Sequence, residues 1–86
     1  MKDKIQTFMY RQFEDETLFV RFTLDTHEGL YRMSEHVKSD APHSVWQQRR
    51  VCKRSNLEEC RDILRERVET YKRIGWKQTD LEDLNP

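Results

Sequence analysis

Glycine, proline and cysteine are scarce in this sequence, and each occurs only twice among 86 residues. A loop that cradles phosphates needs glycines so that backbone amides can approach the ligand. Because Gly29 and Gly75 are accounted for by a turn and a helix end, we exclude a nucleotide-binding loop. Two cysteines do not make a disulfide framework, which predicts a reducing, cytoplasmic compartment. Long apolar runs are also missing, and no segment reaches the ~18 apolar residues that a membrane span needs.

Charged side chains, in contrast, are abundant. They make up 37% of the chain, compared with roughly 25% of an average domain. Such a composition raises the alternative of a disordered chain, but nine aromatic residues supply large areas for burial. A chain of this length corresponds to one domain. We therefore predict a single folded domain over residues 1–79, followed by a flexible acidic tail over residues 80–86.

The net charge of zero hides an uneven distribution of charge along the chain. Residues 1–43 carry a net charge of −2, residues 44–79 carry +5, and residues 80–86 carry −3. This asymmetry indicates either an anionic partner or internal pairing of charges.

Alternation of apolar and polar residues predicts an antiparallel sheet. Every second residue between Leu18 and Leu24 is apolar, which is the clearest strand pattern in the chain. The last strand is expected at a sheet edge, where charged side chains protect the exposed backbone. Strands are expected over residues 5–12, 18–24, 30–33 and 44–53, joined by turns at 14–16 and 25–29 and by a loop over 34–43.

One helix is the best specified element. Ser55 and Glu58 fit a capping box, in which the Ser55 hydroxyl caps the first turn and the Glu58 carboxylate binds the amide of the cap. Gly75 can adopt the left-handed conformation that ends a helix, after which Trp76 can fold back on Tyr71. The apolar residues of the helix recur at three- and four-residue steps and form one stripe: Leu57, Cys60, Ile63, Leu64, Val68, Tyr71 and Ile74.

Together these elements predict the α+β class. The expected architecture is an antiparallel sheet of three or four strands with one C-terminal helix packed across it, in the order β-β-β-β-α. A short additional strand over residues 76–79 is left open as an alternative.

Patterns typical of catalysis and metal binding are missing. Cys52, Cys60, His27, His36 and His43 include no pair at the two- to four-residue spacing of zinc sites, and Cys60 is expected to be a small buried residue. Nucleophilic catalysis needs a nucleophile, a base and an orienting group in fixed positions, whereas these histidines fall in the expected turn and loop. We predict a protein that is not an enzyme and has no metal and no cofactor.

The strongest candidate for function is the basic segment before the helix, which contains Trp46, Arg49, Arg50, Lys53 and Arg54. Lys53 and Arg54 precede a helix N-terminus, where positive charge is locally unfavourable, and residues placed against local preference are often functional. In a strand, Arg49 and Arg50 point to opposite faces, so one of them faces the helix. These five residues are the predicted partner-binding site, with pairing to the acidic helix face or the tail as the alternative.

Parts of the chain resemble a known family. Phe22 in its Val-Arg-Phe strand, the Arg49-Arg50 pair, the capped helix and the Gly75-Trp76 ending resemble a family of short, uncharacterised cyanobacterial proteins. The resemblance implies a cyanobacterial or cyanophage origin and no assigned activity. A fainter similarity is to the WGR module of nucleic-acid-associated proteins, which also places a helix after a sheet. Because the Trp-Gly-Arg signature is absent, we carry over no DNA binding.

These features predict a small, non-catalytic protein-interaction or regulatory module, such as a phage- or cyanobacterium-encoded modulator of a larger protein. The alternative is a nucleic-acid-binding domain that contacts phosphates through the basic segment, although the chain lacks the high pI of such binders. Homo-oligomer formation through an edge strand is a further alternative, because small domains often gain stability by association.

Overall fold

The computed structural model of the protein describes residues 4–79. Its elements are β1 (Ile5–Gln12), β2 (Thr17–His27), β3 (Leu30–Ser39), β4 (Gln47–Arg54), α1 (Leu57–Arg73) and β5 (Lys77–Thr79). The strands form one five-stranded antiparallel sheet in the spatial order β4-β3-β2-β1-β5, and α1 packs across one face of it. The predicted α+β class is confirmed, with β5 as the additional short strand. The tail predicted over residues 80–86 lies outside the described residues.

Tight turns join the first three strands. Between β1 and β2, the amide of Phe13 donates to the carbonyl of Glu16 over 2.7 Å, which confirms the expected turn. Between β2 and β3, Glu28 and Gly29 both have positive φ, 54° and 80°, as a favoured two-residue hairpin turn requires. Because this turn needs only two residues, β2 continues to His27 and the turn is shorter than predicted.

The loop predicted over residues 34–43 is wrong for residues 34–39, which belong to β3. β3 is hydrogen-bonded to β2 on one side and to β4 on the other. Its sequence lacks apolar alternation because the residue buried towards the helix is Glu35, while Ser34 and His36 occupy the opposite face. Hydrogen bonding to β2 and β4 therefore stabilises β3 as a strand, although its sequence does not have the apolar alternation that predicts one.

The N-terminus of α1 is capped by Asn56 and not, as predicted, by Ser55. The Asn56 Oδ1 accepts hydrogen bonds from the amides of Glu58, at 2.7 Å, and Glu59, at 3.3 Å. Asn56 has the extended backbone geometry of a cap residue, with φ −119° and ψ 124°. Its side chain satisfies two amides that have no partner within the helix, so the cap lies one residue later than the capping box indicates.

The C-terminus of α1 ends as predicted. Gly75 has φ 103°, and the amides of Gly75 and Trp76 donate to the carbonyls of Lys72 and Tyr71, which is the Schellman arrangement. Trp76 folds back so that its ring lies edge-on to that of Tyr71, with centroids 4.9 Å apart. Ile74, expected in the apolar stripe, is instead 55% exposed because it is the residue at which the helix ends.

The hydrophobic core lies between α1 and the sheet. Phe22, at the centre of β2, is fully buried and meets the Tyr71 ring edge-on at 5.7 Å between centroids. Complete burial of such a side chain stabilises a fold by about 1.5–3 kcal/mol. The buried cluster contains Met9, Val20, Phe22, Leu24, Met33, Cys60 and Val68. Because α1 covers only one face of the sheet, the other face is available for function.

Candidate functional site

The register of the strands decides which residues share the sheet face that α1 does not cover. Residues directly opposite each other on antiparallel strands point to the same side. Phe8, Arg21, His36 and Gln48 form one such row across β1, β2, β3 and β4. Moving two residues along each strand gives the other rows of this face, except that on β4 a shift in register places Val51, three residues after Gln48, in the next row. We call this surface the open face. Its first two rows are Tyr10, Phe19, Lys38 and Lys77, followed by Phe8, Arg21, His36 and Gln48. The next two rows are Gln6, Thr23, Ser34 and Val51, followed by Asp25, Arg32 and Lys53.

Trp46 packs on the open face. Its ring centroid lies 6.3 Å from that of Phe8, and the Arg21 guanidinium carbon and Lys38 ammonium nitrogen lie 4.7 Å and 5.5 Å from it. These distances are in the range of cation–π contacts. Trp46 covers Phe8 almost completely but remains half-buried itself. The residue predicted to be the freer of the two tryptophans therefore holds two cations against the sheet.

A polar groove of about 300 Å³ runs across the open face beside Arg21 and His36. Its walls come from β1 to β4 and from Lys4, which directly precedes β1. Every residue that lines it is polar or charged; the lining consists of Lys4, Gln6, Arg21, Thr23, Asp25, Arg32, Ser34, His36 and Gln48. A groove of this composition suits a hydrophilic ligand and not an apolar one.

Two residues that line the groove each have a buried nitrogen atom without a hydrogen-bond partner among the described residues: Nε of Arg21 and Nδ1 of His36. Burial lowers the pKa of Arg21. Burial, followed by the charges of Arg21 and Arg32, also lowers the pKa of His36 below its ordinary value. A lowered pKa favours the neutral form of the His36 imidazole. Buried donors and acceptors are normally satisfied, so these two atoms represent unused hydrogen-bonding capacity in the side chains that line the groove.

Arg32 is fixed at the far end of the groove by Asp25. Its Nε and Nη2 donate to the two carboxylate oxygens at 3.0 Å and 2.9 Å. This bidentate bond raises the pKa of Arg32 and holds its guanidinium in one orientation. Asp25 is also the only acidic residue in the rows of the open face, so the groove keeps a positive balance.

The open face is much more basic than the rest of the described chain. Its strands together with Lys4 contribute six cationic side chains: Lys4, Arg21, Arg32, Lys38, Lys53 and Lys77. The carboxylates beside them are those of Asp25 and of Glu28, which lies in the turn next to Lys53. In α1, by contrast, five acidic residues balance five basic ones. The zero net charge of the sequence therefore conceals a cationic surface.

The predicted site residues do not form one surface. β4 begins at Gln47 and occupies the predicted sheet edge, which places Trp46 just before it. Lys53 lies on the open face, whereas Arg50 and Arg54 lie on the helix face. Arg50 Nε is 3.5 Å from Glu35 Oε1, Arg54 Nε is 3.8 Å from Glu59 Oε1, and Lys53 Nζ is 3.9 Å from Glu28 Oε1.

Arg49 differs from the other members of the basic segment. The register shifts between Glu35 and His36, which pair with Arg50 and Gln48, so that Arg49 is the extra residue of a β-bulge. It is exposed and makes no ion pair with any residue between 4 and 79. Of the four predicted cations, Arg49 is therefore the one that the described part of the chain leaves unpaired.

Arg50 belongs to a buried ionic cluster beneath the helix. The carboxylate of Glu35, with a side chain only 3% exposed, accepts a hydrogen bond of 2.6 Å from the Tyr71 hydroxyl. Arg67 Nε donates to the same carboxylate at 3.4 Å. Burial and the hydrogen bond to Glu35 raise the pKa of Tyr71. This cluster joins β3, β4 and α1 and is part of the internal packing.

Sequence reasoning did not single out Arg21, Arg32, His36 or Lys38 as site residues. One pattern in the sequence could have identified three of these residues: polar side chains occupy every second position of β3, from Arg32 to Lys38. That spacing is typical of the polar face of a strand, whereas the turn-forming residues Ser39, Asp40 and Pro42 favour a loop over residues 34–43. Arg21 was visible only as a charged residue on the outer side of the strongest predicted strand.

Comparison with known protein families, curated proteins and solved structures finds no match. The resemblance to cyanobacterial and cyanophage proteins therefore stays a prediction. Among residues 4–79, no three histidine, cysteine or acidic residues are placed to hold a metal ion. No helix in this part of the chain is long and apolar enough to cross a membrane.

Proposed function

We propose that this protein is a non-catalytic module that binds single-stranded nucleic acid on the open face of its sheet. The observation that carries the proposal is the excess of cations on that face, six against the two carboxylates of Asp25 and Glu28. Proteins that bind single strands combine a cationic surface, which follows the phosphates, with aromatic rings on which bases stack. Both components lie together on this surface.

Three partly exposed aromatic rings lie among these cations. Tyr10 and Phe19 are half-buried neighbours in the row that ends in Lys77 and Lys38. Trp46 lies over the next row, with its ring tilted relative to that of Phe8. Stacking on such rings tolerates any base, so we expect weak sequence preference.

The number of unpaired cations predicts the salt dependence of binding. Four cations of the open face, Lys4, Arg21, Lys38 and Lys77, have no ion pair within residues 4–79. If each contacts one phosphate of a single strand, log K falls against log salt with a slope of about −2.8. The affinity for an oligothymidylate of about ten nucleotides then decreases about 50-fold between 50 and 200 mM salt. Fluorescence anisotropy of a labelled oligonucleotide measures this slope.

A matched pair of lysine variants distinguishes binding at the open face from an effect of the overall charge of the protein. Lys38→Glu removes a cation next to Trp46 on the open face, whereas Lys72→Glu makes the same change on exposed α1. We expect Lys38→Glu to weaken binding about ten-fold at low salt and to reduce the slope by about 0.7. Lys72→Glu is expected to stay within about two-fold of the wild type. Equal effects of the two variants, or no binding at low salt, would refute the proposal.

The protein-interaction module predicted from the sequence is the second candidate. One observation favours it: β4 is an edge strand of eight residues, and Val51 is 42% exposed on it. An extended acidic peptide that adds to this edge would be attracted by Arg49 and Lys53. Arg49→Glu with Lys53→Glu is then expected to abolish capture of a protein partner. Unchanged capture by this variant would exclude β4 as the contact surface.

A further inference from the structure

The pair formed by Arg21 and His36 is the most specific feature of the open face. These residues are directly opposite each other on β2 and β3, and both line the polar groove. The Nε of Arg21 and the Nδ1 of His36 are buried and have no partner among the described residues. Arg21 Nε always carries a hydrogen, so at least one buried donor beside the groove lacks an acceptor among the described residues.

The composition of the groove indicates the chemistry of that acceptor. Lys4, Arg21 and Arg32 bring three positive charges to its walls, and Asp25 brings one negative charge, whose two oxygens are already occupied by Arg32. The remaining balance of about two positive charges favours an anion. Hydroxyl and amide groups surround the rest of the cavity of about 300 Å³, a volume that accommodates a small oxyanion together with some of its water.

We propose that this groove binds one tetrahedral oxyanion, the phosphate group of a ligand, which accepts hydrogen bonds from the side chains of Arg21 and His36. Arg32, held by Asp25, supplies the second guanidinium of the site. The inference rests on the proposed function for one of its two sources, a phosphodiester of a bound strand. The other source, a smaller phosphorylated compound, requires the groove alone.

Binding in this geometry is coupled to protonation of His36. The charged groups on the face of His36 are Arg21 and Asp25 on β2, Arg32 and Lys38 on its own strand and Lys4 before β1, while β4 contributes the uncharged Gln48. The cations and burial hold the pKa of His36 low in the free protein. An anion beside the ring favours the imidazolium and raises that pKa. The complex then takes up a proton, and the affinity increases as the pH falls through the region near and below about 6.5.

Inorganic sulfate is the appropriate first probe because its charge is constant over the whole range in which histidine titrates. NMR titration of the full chain follows the side-chain nitrogens of Arg21 and His36, and the fitted shifts give the affinity. We expect both resonances to move and the affinity to be at least about three-fold higher at pH 5.5 than at pH 7.5. Sulfate that moves neither resonance would overturn the proposal.

Three variants test the assigned roles. Arg21→Lys keeps the positive charge but removes the Nε–H group, and it is expected to weaken sulfate about ten-fold. His36→Gln keeps a polar side chain and is expected to remove the pH dependence. His43→Gln changes an exposed loop histidine and is expected to leave both unchanged. Circular dichroism verifies that each variant is folded; a pH dependence that persists in folded His36→Gln contradicts the assignment even if Arg21→Lys fails to fold.

The same variants distinguish the two sources of phosphate and separate this proposal from the previous one. If an oligothymidylate competes with sulfate and Arg21→Lys weakens both, the groove holds a phosphodiester of the strand. If sulfate binds through Arg21 and His36 but the oligonucleotide does not bind, the groove is a site for a smaller phosphorylated compound and the nucleic-acid function is wrong. If the oligonucleotide binds but Arg21→Lys and His36→Gln leave its affinity unchanged, the groove proposal fails and the function stands.

Discussion

Replacement of Glu35 tests the ionic cluster that links α1 to the sheet. Glu35→Gln keeps the volume of the side chain but removes its charge, at a position only 3% exposed. The Tyr71 hydroxyl then loses the carboxylate that it contacts at 2.6 Å, and Arg67 loses its counterion at 3.4 Å. Arg50 is 55% exposed and is compensated by water.

The structure sets the size of the expected effect. Removal of one partner of a buried pair destabilises a protein by about 3–5 kcal/mol, and the partial exposure of the arginines places Glu35→Gln near about 3 kcal/mol. Tyr71→Phe keeps the ring packing but loses one hydrogen bond to a charged group, at a cost of about 1.5–2 kcal/mol. In the double variant the bond is lost only once, so we expect a coupling energy of about 1.5 kcal/mol between the two sites.

Urea unfolding followed by circular dichroism measures these free energies. A domain of this length has a total stability of about 4–13 kcal/mol, so a loss of about 3 kcal/mol shifts the midpoint clearly. Asp62→Asn is the control, because Asp62 pairs with Arg65 at 2.8 Å on the exposed side of α1 and is expected to cost less than about 0.5 kcal/mol. A cost of Glu35→Gln as small as that of the control, or strictly additive costs of Glu35→Gln and Tyr71→Phe, would refute the cluster.

Three further predictions concern the helix cap and the two titrating groups. Asn56→Ala is expected to destabilise the protein by about 1 kcal/mol, whereas Ser55→Ala is expected to have little effect in the same urea experiment; the reverse order would restore Ser55 as the cap. The pKa of His36 is lowered in the folded state. Its contribution to the free energy of unfolding is therefore present above pH about 6.5 and is lost as the pH falls through the lower pKa of the folded state. Unfolding curves at pH 5.5 and 7.5 are expected to show this loss, and the loss is expected to be smaller in His36→Gln. Because the pKa of Tyr71 is raised, its contribution is present below pH about 10 and is lost as the pH rises through the folded value; thermal unfolding between pH 9 and 11 is expected to show a smaller alkaline loss in Tyr71→Phe.

The elements with regular apolar spacing could be predicted from the sequence. β2 and α1 each bury one regular face against the core, so alternation at every second residue and the three- and four-residue steps identify them. The ending at Gly75 and Trp76 was also predictable, because positive φ and the fold-back of the following residue are local properties.

The elements that depend on tertiary pairing could not be predicted in this way. β3 carries Glu35 on its buried face, and a buried carboxylate is tolerated there only because Tyr71 and Arg67 from the distant helix bind it. The site has the same origin. Arg21 and His36 meet because β2 and β3 pair in one particular register, which single-strand patterns do not determine.

The N-terminal cap of α1 is another feature that local sequence patterns do not determine. Ser55 and Asn56 are both favourable cap residues, and the capping-box spacing to Glu58 favoured Ser55. The chain turns one residue later, so that the Asn56 side chain meets the amides of Glu58 and Glu59.

The two tryptophans of the chain provide the most direct test of whether the open face binds single-stranded nucleic acid. Trp46 lies on the open face against Arg21 and Lys38, and Trp76 lies on the opposite face against Tyr71. Their two indole N–H signals, recorded while a single-stranded oligonucleotide is titrated into the protein at low salt, report on the two faces in one sample. If the oligonucleotide binds on the open face, we expect the Trp46 signal to shift until binding is saturated while the Trp76 signal remains in place. A shift of Trp76 alone, or of neither tryptophan, would contradict it.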